Sequence, residues 1–80
     1  MSNVLNKNLK EFKPGEKGTV LKVTAEGRIR RRLFDMGVTP GAEIIMRKAA
    51  PLGDPIQITV RGYELTLRKS EAENVLLQIS

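Results

Sequence analysis

A chain of 80 residues, 40% of them hydrophobic, supports one small core with no room for a second, so a single domain over 1–80 is expected. It has 0 Cys and 0 His, which excludes disulfides, thiolate metal sites and the commonest general base, and suits a reducing compartment. With 14 Lys and Arg against 9 Asp and Glu the net charge is +5, a balance that favours an anionic partner such as nucleic acid, an anionic membrane surface or an acidic protein face, or simply keeps a small domain soluble.

Residues 1–8 read as a loose polar lead-in without the apolar centre of a signal peptide, and no run approaches the ~20 apolar residues of a membrane span. A cytoplasmic location is therefore expected. Leu9 and Phe12 are spaced for one turn tucked over the open end of a barrel. Pro14-Gly15 is a turn that starts a strand, Lys17 to Thr24, rich in β-branched residues.

From Ala25 to Met36 the period changes. Ala25, Ile29, Leu33 and Met36 recur at helical spacing, with Arg28, Arg31, Arg32 and Asp35 on the other side. Gly37 fits the left-handed position just past a helix, and Pro40-Gly41 suits a type II turn that launches the next strand. That strand, Ala42 to Ala49, has its alternation blurred at Ile44-Ile45-Met46.

Ala50 to Pro55 is a loop by its two prolines and glycine. Ile56, Ile58 and Val60 then alternate cleanly with polar residues, Gly62-Tyr63 is the expected hairpin turn, and Leu65 and Leu67 continue the pattern. Ser70 as a cap with Glu73 three residues on predicts a helical turn, and Val75, Leu77 and Ile79 make the last strand.

The result is mainly β: about five short strands, a helix between the first two, and a helical turn before the last. Such a set suggests a small, strongly bent barrel of the SH3-like kind, whose closure would remove exposed strand edges. The expected core is Val20, Val23, Ile29, Leu33, Ile44, Ile58, Val60, Leu65, Leu67 and Leu77.

Three segments resemble one known family when taken together and in order. They are Arg31-Arg32-Leu33-Phe34-Asp35-Met36-Gly37-Val38-Thr39-Pro40-Gly41, then Ala50-Pro51-Leu52-Gly53-Asp54-Pro55, then Val60-Arg61-Gly62-Tyr63-Glu64-Leu65-Thr66-Leu67-Arg68. The likeness is to FeoA, ferrous iron transport protein A, and runs from about Leu9 to Ile79. The same SH3-like domain is found at the C-terminus of iron-dependent repressors of the diphtheria-toxin-repressor type; no helix-turn-helix region precedes it in this chain. The resemblance implies a cytoplasmic accessory of FeoB, a membrane transporter with an N-terminal GTP-binding domain, acting by contact with its cytoplasmic portion at the inner membrane. Although the family carries a transition-metal label, nothing among these residues looks built to hold ferrous iron.

Candidate partner-binding residues fall in three places. Arg28, Arg31 and Arg32 form a basic helix face that would steer an acidic surface, or be merely solvated. Leu52, with Asp54 nearby, sits between turn formers, either as a protruding anchor or as a lid folded over the barrel end. Tyr63 offers an apolar body and a hydroxyl to a partner, or packs across the barrel mouth. Asp35 is expected to tie the helix end to the following turn. Glu71 and Glu73, two apart, do not converge on an ion, so no metal site, cofactor or small-molecule substrate is expected. Without His or Cys, and without a Gly-rich phosphate loop, catalysis has no machinery; the chain is expected not to be an enzyme. A free-standing basic SH3-like regulatory or nucleic-acid-binding module is the alternative, although no groove-reading motif accompanies the arginines. A weak homo-oligomer through exposed strand edges is compatible with either reading.

Overall fold

Six antiparallel strands form one sheet in the order β1-β6-β2-β3-β4-β5. In chain order these are β1 (Asn6–Asn8), β2 (Lys17–Val23), β3 (Glu43–Ala49), β4 (Ile56–Val60), β5 (Tyr63–Leu67) and β6 (Val75–Ile79). Helix α1 (Gly27–Asp35) lies between β2 and β3, and the short α2 (Lys69–Ala72) between β5 and β6. The structure, a computed structural model, describes residues 6–52 and 54–79, so the lead-in over 1–5 and the Gly53 turn former lie outside it. The sixth strand comes from the expected lead-in: Asn6–Asn8 pair with Gln78, Leu77 and Leu76 of β6.

The sheet bends without closing. One register shift lies between Val20 and Lys22, and another between Met46 and Lys48. An extra residue on one strand of a pair sharpens the local twist, so these two bulges curl the sheet around its core. Alternation in β3 is intact through the blurred segment, since Ile44 and Met46 are buried and Ile45 is half-buried. β1 and β5 remain as edges.

α1 ends as its residues require. Val38 N–H donates to Leu33 O at 2.9 Å and Gly37 N–H to Phe34 O at 3.0 Å, with Gly37 at φ +92°. That is a Schellman ending, in which a left-handed residue lets the chain turn back and satisfy two orphan carbonyls. The Pro40-Gly41 turn follows, with Gly41 at φ +93° and its N–H on Val20 O at 2.8 Å, which sews the turn to β2.

Three local expectations need correction. The helix starts at Gly27 rather than Ala25, because Glu26 is extended (φ −124°) and Gly27 takes φ +60°. The four-residue spacing of Ala25 and Ile29 is therefore not a helical repeat; Ala25 is buried, but Ile29 is 39% exposed and leaves the expected core. The β4–β5 turn is Arg61-Gly62, not Gly62-Tyr63. Both turn residues have positive φ (51° and 84°) and Val60 pairs with Tyr63, as a two-residue type I′ hairpin requires. Finally, α2 is capped around Arg68, not Ser70: Glu71 Oε1 accepts from Arg68 N–H at 2.9 Å. The acidic half of a capping box is present two residues earlier than its sequence signature placed it.

The remaining expected core residues are buried or, for Val23 and Leu65, half-buried, and Leu9, Phe12, Val38, Met46, Ile56 and Val75 join them. Leu9 opens a 3-10 turn over Leu9–Glu11 that carries Phe12 onto β2. The fit there is close, since a Cβ on Gly18 would stand 2.6 Å from Gln78 O and 3.0 Å from the Phe12 ring.

Candidate functional site

Leu52 is 88% exposed, the most exposed large apolar side chain among the described residues. Its loop is nonetheless closed at the base. Ala50 N–H donates to Pro55 O at 3.0 Å, and Asp54 Oδ1 accepts from Lys69 N–H, the first residue of α2, at 3.0 Å. Asp54 thus holds the loop to the helical turn. At the foot of the loop, Lys48, Ala49, Ala50, Pro55, Gln57 and Thr66 line a half-open pocket of about 220 Å³.

On α1 the three arginines are not equivalent. Arg32 Nε donates to Glu71 Oε2 at 2.8 Å, and Glu71 is only 7% exposed. Arg32 is therefore committed to joining α1 to α2. Arg28 and Arg31 are exposed and enter no ion pair among the described residues; with Arg32, Asp35 and Met36 they line an open depression of about 420 Å³. Arg30, beside them, lies over the Phe34 ring at 5.2 Å. The carboxylate of Asp35, expected to tie down the helix end, makes no hydrogen bond or ion pair among the described residues. That tie comes instead from Arg61, whose Nη2 donates to Thr39 Oγ1 at 3.0 Å and whose Nε donates to Gly37 O at 3.4 Å.

Tyr63 is 73% exposed at the far end of the β4–β5 hairpin from Leu52: Val60 pairs with Tyr63, whereas Ile56, next to the loop, pairs with Leu67. The two are not brought together. Contacts instead run from the Leu52 loop through Asp54 and Lys69 to α2, and from Glu71 of α2 to Arg32. Sequence reasoning passed over Glu71 as a contact of the arginine face, and Arg61 as the brace of the helix end. Both are long-range contacts that local spacing does not report. Among the described residues no three acidic, His or Cys side chains gather as metal ligands.

Residues 7–79 match the family model for the FeoA domain. The chain belongs to the FeoA family. A curated relative is the Fe(2+) transport protein A/Fe(2+) transporter FeoB fusion protein of Porphyromonas gingivalis, 28% identical over 71 residues. The match covers 89% of this chain but spans only 8% of that protein's length. Among solved structures, an iron uptake regulatory protein (FeoA) superposes with a TM-score of 0.89 at 33% identity, covering 95% of this chain and 100% of the other. The zinc-complexed FeoA of Stenotrophomonas maltophilia, a prokaryotic SH3 domain protein, does so at 0.78 and 31% identity, covering 89% and 88%. A manganese-dependent transcriptional repressor shares the fold at a TM-score of 0.88 with 14% identity, over 100% of this chain and 45% of its own. The bent six-stranded sheet is thus the SH3-like fold of FeoA proteins, a family associated with ferrous iron transport. Among the described residues no helix is long and apolar enough to cross a membrane.

Proposed function

We propose that this FeoA-family chain is a non-enzymatic accessory of ferrous iron uptake that modulates the FeoB transporter by contact with its cytoplasmic portion. The observation that carries this reading is the relative from P. gingivalis, in which the matching domain and FeoB are one chain. Covalent fusion keeps two partners at high effective concentration, and a separate chain must supply the same contact through its own surface. The Leu52 loop supplies an apolar anchor, and Arg28 and Arg31 supply charges free to meet an acidic face.

The test is a pull-down with full-length FeoB and, separately, its GTP-binding domain, at low and moderate salt. Leu52→Ala and an Arg28→Ala/Arg31→Ala double variant run beside the wild type, with Arg32 left in place to keep its pair with Glu71. Leu52→Ala is expected to weaken binding by about tenfold or more at both salt concentrations. The double variant is expected to lose affinity chiefly at low salt. Absence of binding to either FeoB preparation rejects the reading.

A further inference from the structure

The two edges of the sheet are unequal. Among the described residues β1 is three residues long, and a short strand offers a partner little to pair with. β5 (Tyr63–Leu67) is longer, and a single charged residue, Glu64, is its one protection. It contains no proline, and its ladder with β4 runs from Val60↔Tyr63 to Ile56↔Leu67 without a bulge, unlike β2/β6 and β3/β4.

The hairpin fixes which backbone groups face out. Val60 and Tyr63 close a two-residue turn and so exchange hydrogen bonds, and alternation then directs Tyr63, Leu65 and Leu67 to β4. The N–H and C=O groups of Glu64 and Thr66 point away from the sheet, and both residues are exposed. Leu67 ends the strand, because Arg68 N–H and C=O are taken up by α2.

We propose that β5 is a self-pairing edge, on which a second copy of this chain adds its own β5 antiparallel about a two-fold axis through Leu65. In that register Glu64 faces Thr66 of the second copy and Thr66 faces its Glu64, each pair exchanging both backbone hydrogen bonds. Leu65 meets Leu65 on the axis, and Tyr63 lies opposite Leu67. On the polar face Glu64 lies diagonal to Arg68 of the second copy, within reach of a long side chain; this occurs twice by symmetry and outnumbers the single Glu64–Glu64 diagonal across the axis. Both side chains are exposed, and neither forms an ion pair among the described residues. Charge complementarity within the strand selects a second copy over an unrelated strand. The 73% exposure of Tyr63 supports the same occupant, since pairing would cover a ring that no neighbour covers in the single chain. An interface of one short strand is small, so the dimer is weak and concentration-dependent.

Sedimentation equilibrium of the full chain, over concentrations reaching about 1 mM, measures it. The wild type is expected to show a monomer–dimer equilibrium. Thr66→Pro removes an outward N–H without touching the β4 ladder and is expected to raise the dissociation constant at least about tenfold. Glu64→Arg is expected to weaken the dimer, and Glu64→Arg/Arg68→Glu to restore it; this pair decides the matter if the proline variant fails to fold by circular dichroism. A wild type that stays monomeric throughout overturns the proposal. So does a dimer indifferent to a folded Thr66→Pro, or a charge swap that fails to recover the loss.

Discussion

Arg32 Nε and Glu71 Oε2 meet at 2.8 Å across the gap between α1 and α2, with the arginine side chain 62% exposed and the glutamate side chain 10%. Glu71 does double duty, because its other oxygen receives Arg68 N–H at 2.9 Å. Removing the acid therefore breaks a helix cap and an ion pair together, whereas removing the base breaks only the pair. Glu71→Ala is expected to cost about 1–3 kcal/mol, and Arg32→Ala under about 1 kcal/mol because its side of the pair is solvent-screened. Urea unfolding of the two variants checks the order. Equal losses would mean that the cap contributes nothing.

Gly18 stands where backbone meets backbone. Its missing Cβ would lie 2.6 Å from Gln78 O, an atom held by the β2–β6 ladder and unable to swing aside. Gly18→Ala is expected to destabilise by about 1–3 kcal/mol through overpacking. Its chevron plot should show where the cost falls: faster unfolding with little change in folding if β2 and β6 join late.

The helix offers a paired test of which apolar positions belong to the core. Leu33 is fully buried and Ile29 is 39% exposed, although both lie on the stripe read from spacing. Leu33→Ala is expected to cost about 2–5 kcal/mol. Ile29→Ala should stay within about 0.5–1 kcal/mol, the better helix propensity of alanine offsetting the modest loss of contact. Thermal melts distinguish the two readily.

That pair also marks the limit of what the chain discloses without coordinates. The strands, the helix stop at Gly37 and the Pro-Gly turn were legible because each depends on neighbours a few residues away. The start of α1 was not, because Gly27 carries a positive φ that spacing alone does not report. The same limit governs the candidate site. Exposure of Leu52 accords with its position among turn formers, but the commitment of Arg32 to Glu71 joins residues 39 apart in sequence. Likewise, the polarity of Asn6–Asn8 argued for a loose segment, and only the available edge of β6 makes it a strand.

Glu16 supplies the pH-dependent element. Hydrogen bonds from Lys13 N–H at 2.6 Å and from Lys7 Nζ at 3.0 Å stabilise its charged form and lower its pKa below the ordinary glutamate value. A lowered folded-state pKa means that the unfolded chain binds the proton more readily. The contribution to stability is thus present above the unfolded pKa and disappears as pH falls through the folded one. Carboxyl NMR titration is expected to place the Glu16 midpoint below that of a free glutamate. Lys7→Met should move it back up only in part, because the Lys13 amide remains. A full return would assign the whole effect to the lysine.

Asn6 of β1 lies opposite Gln78 of β6, so chain entering the domain and chain leaving it travel side by side on one margin of the sheet. A unit with neighbouring entrance and exit can be spliced into a longer polypeptide like a detachable cartridge, without pushing the flanking segments apart. The same geometry makes a circular permutant practicable: a short bridge between these two strands would free new ends to open elsewhere, and an anchor such as Leu52 could be presented from a differently ordered chain.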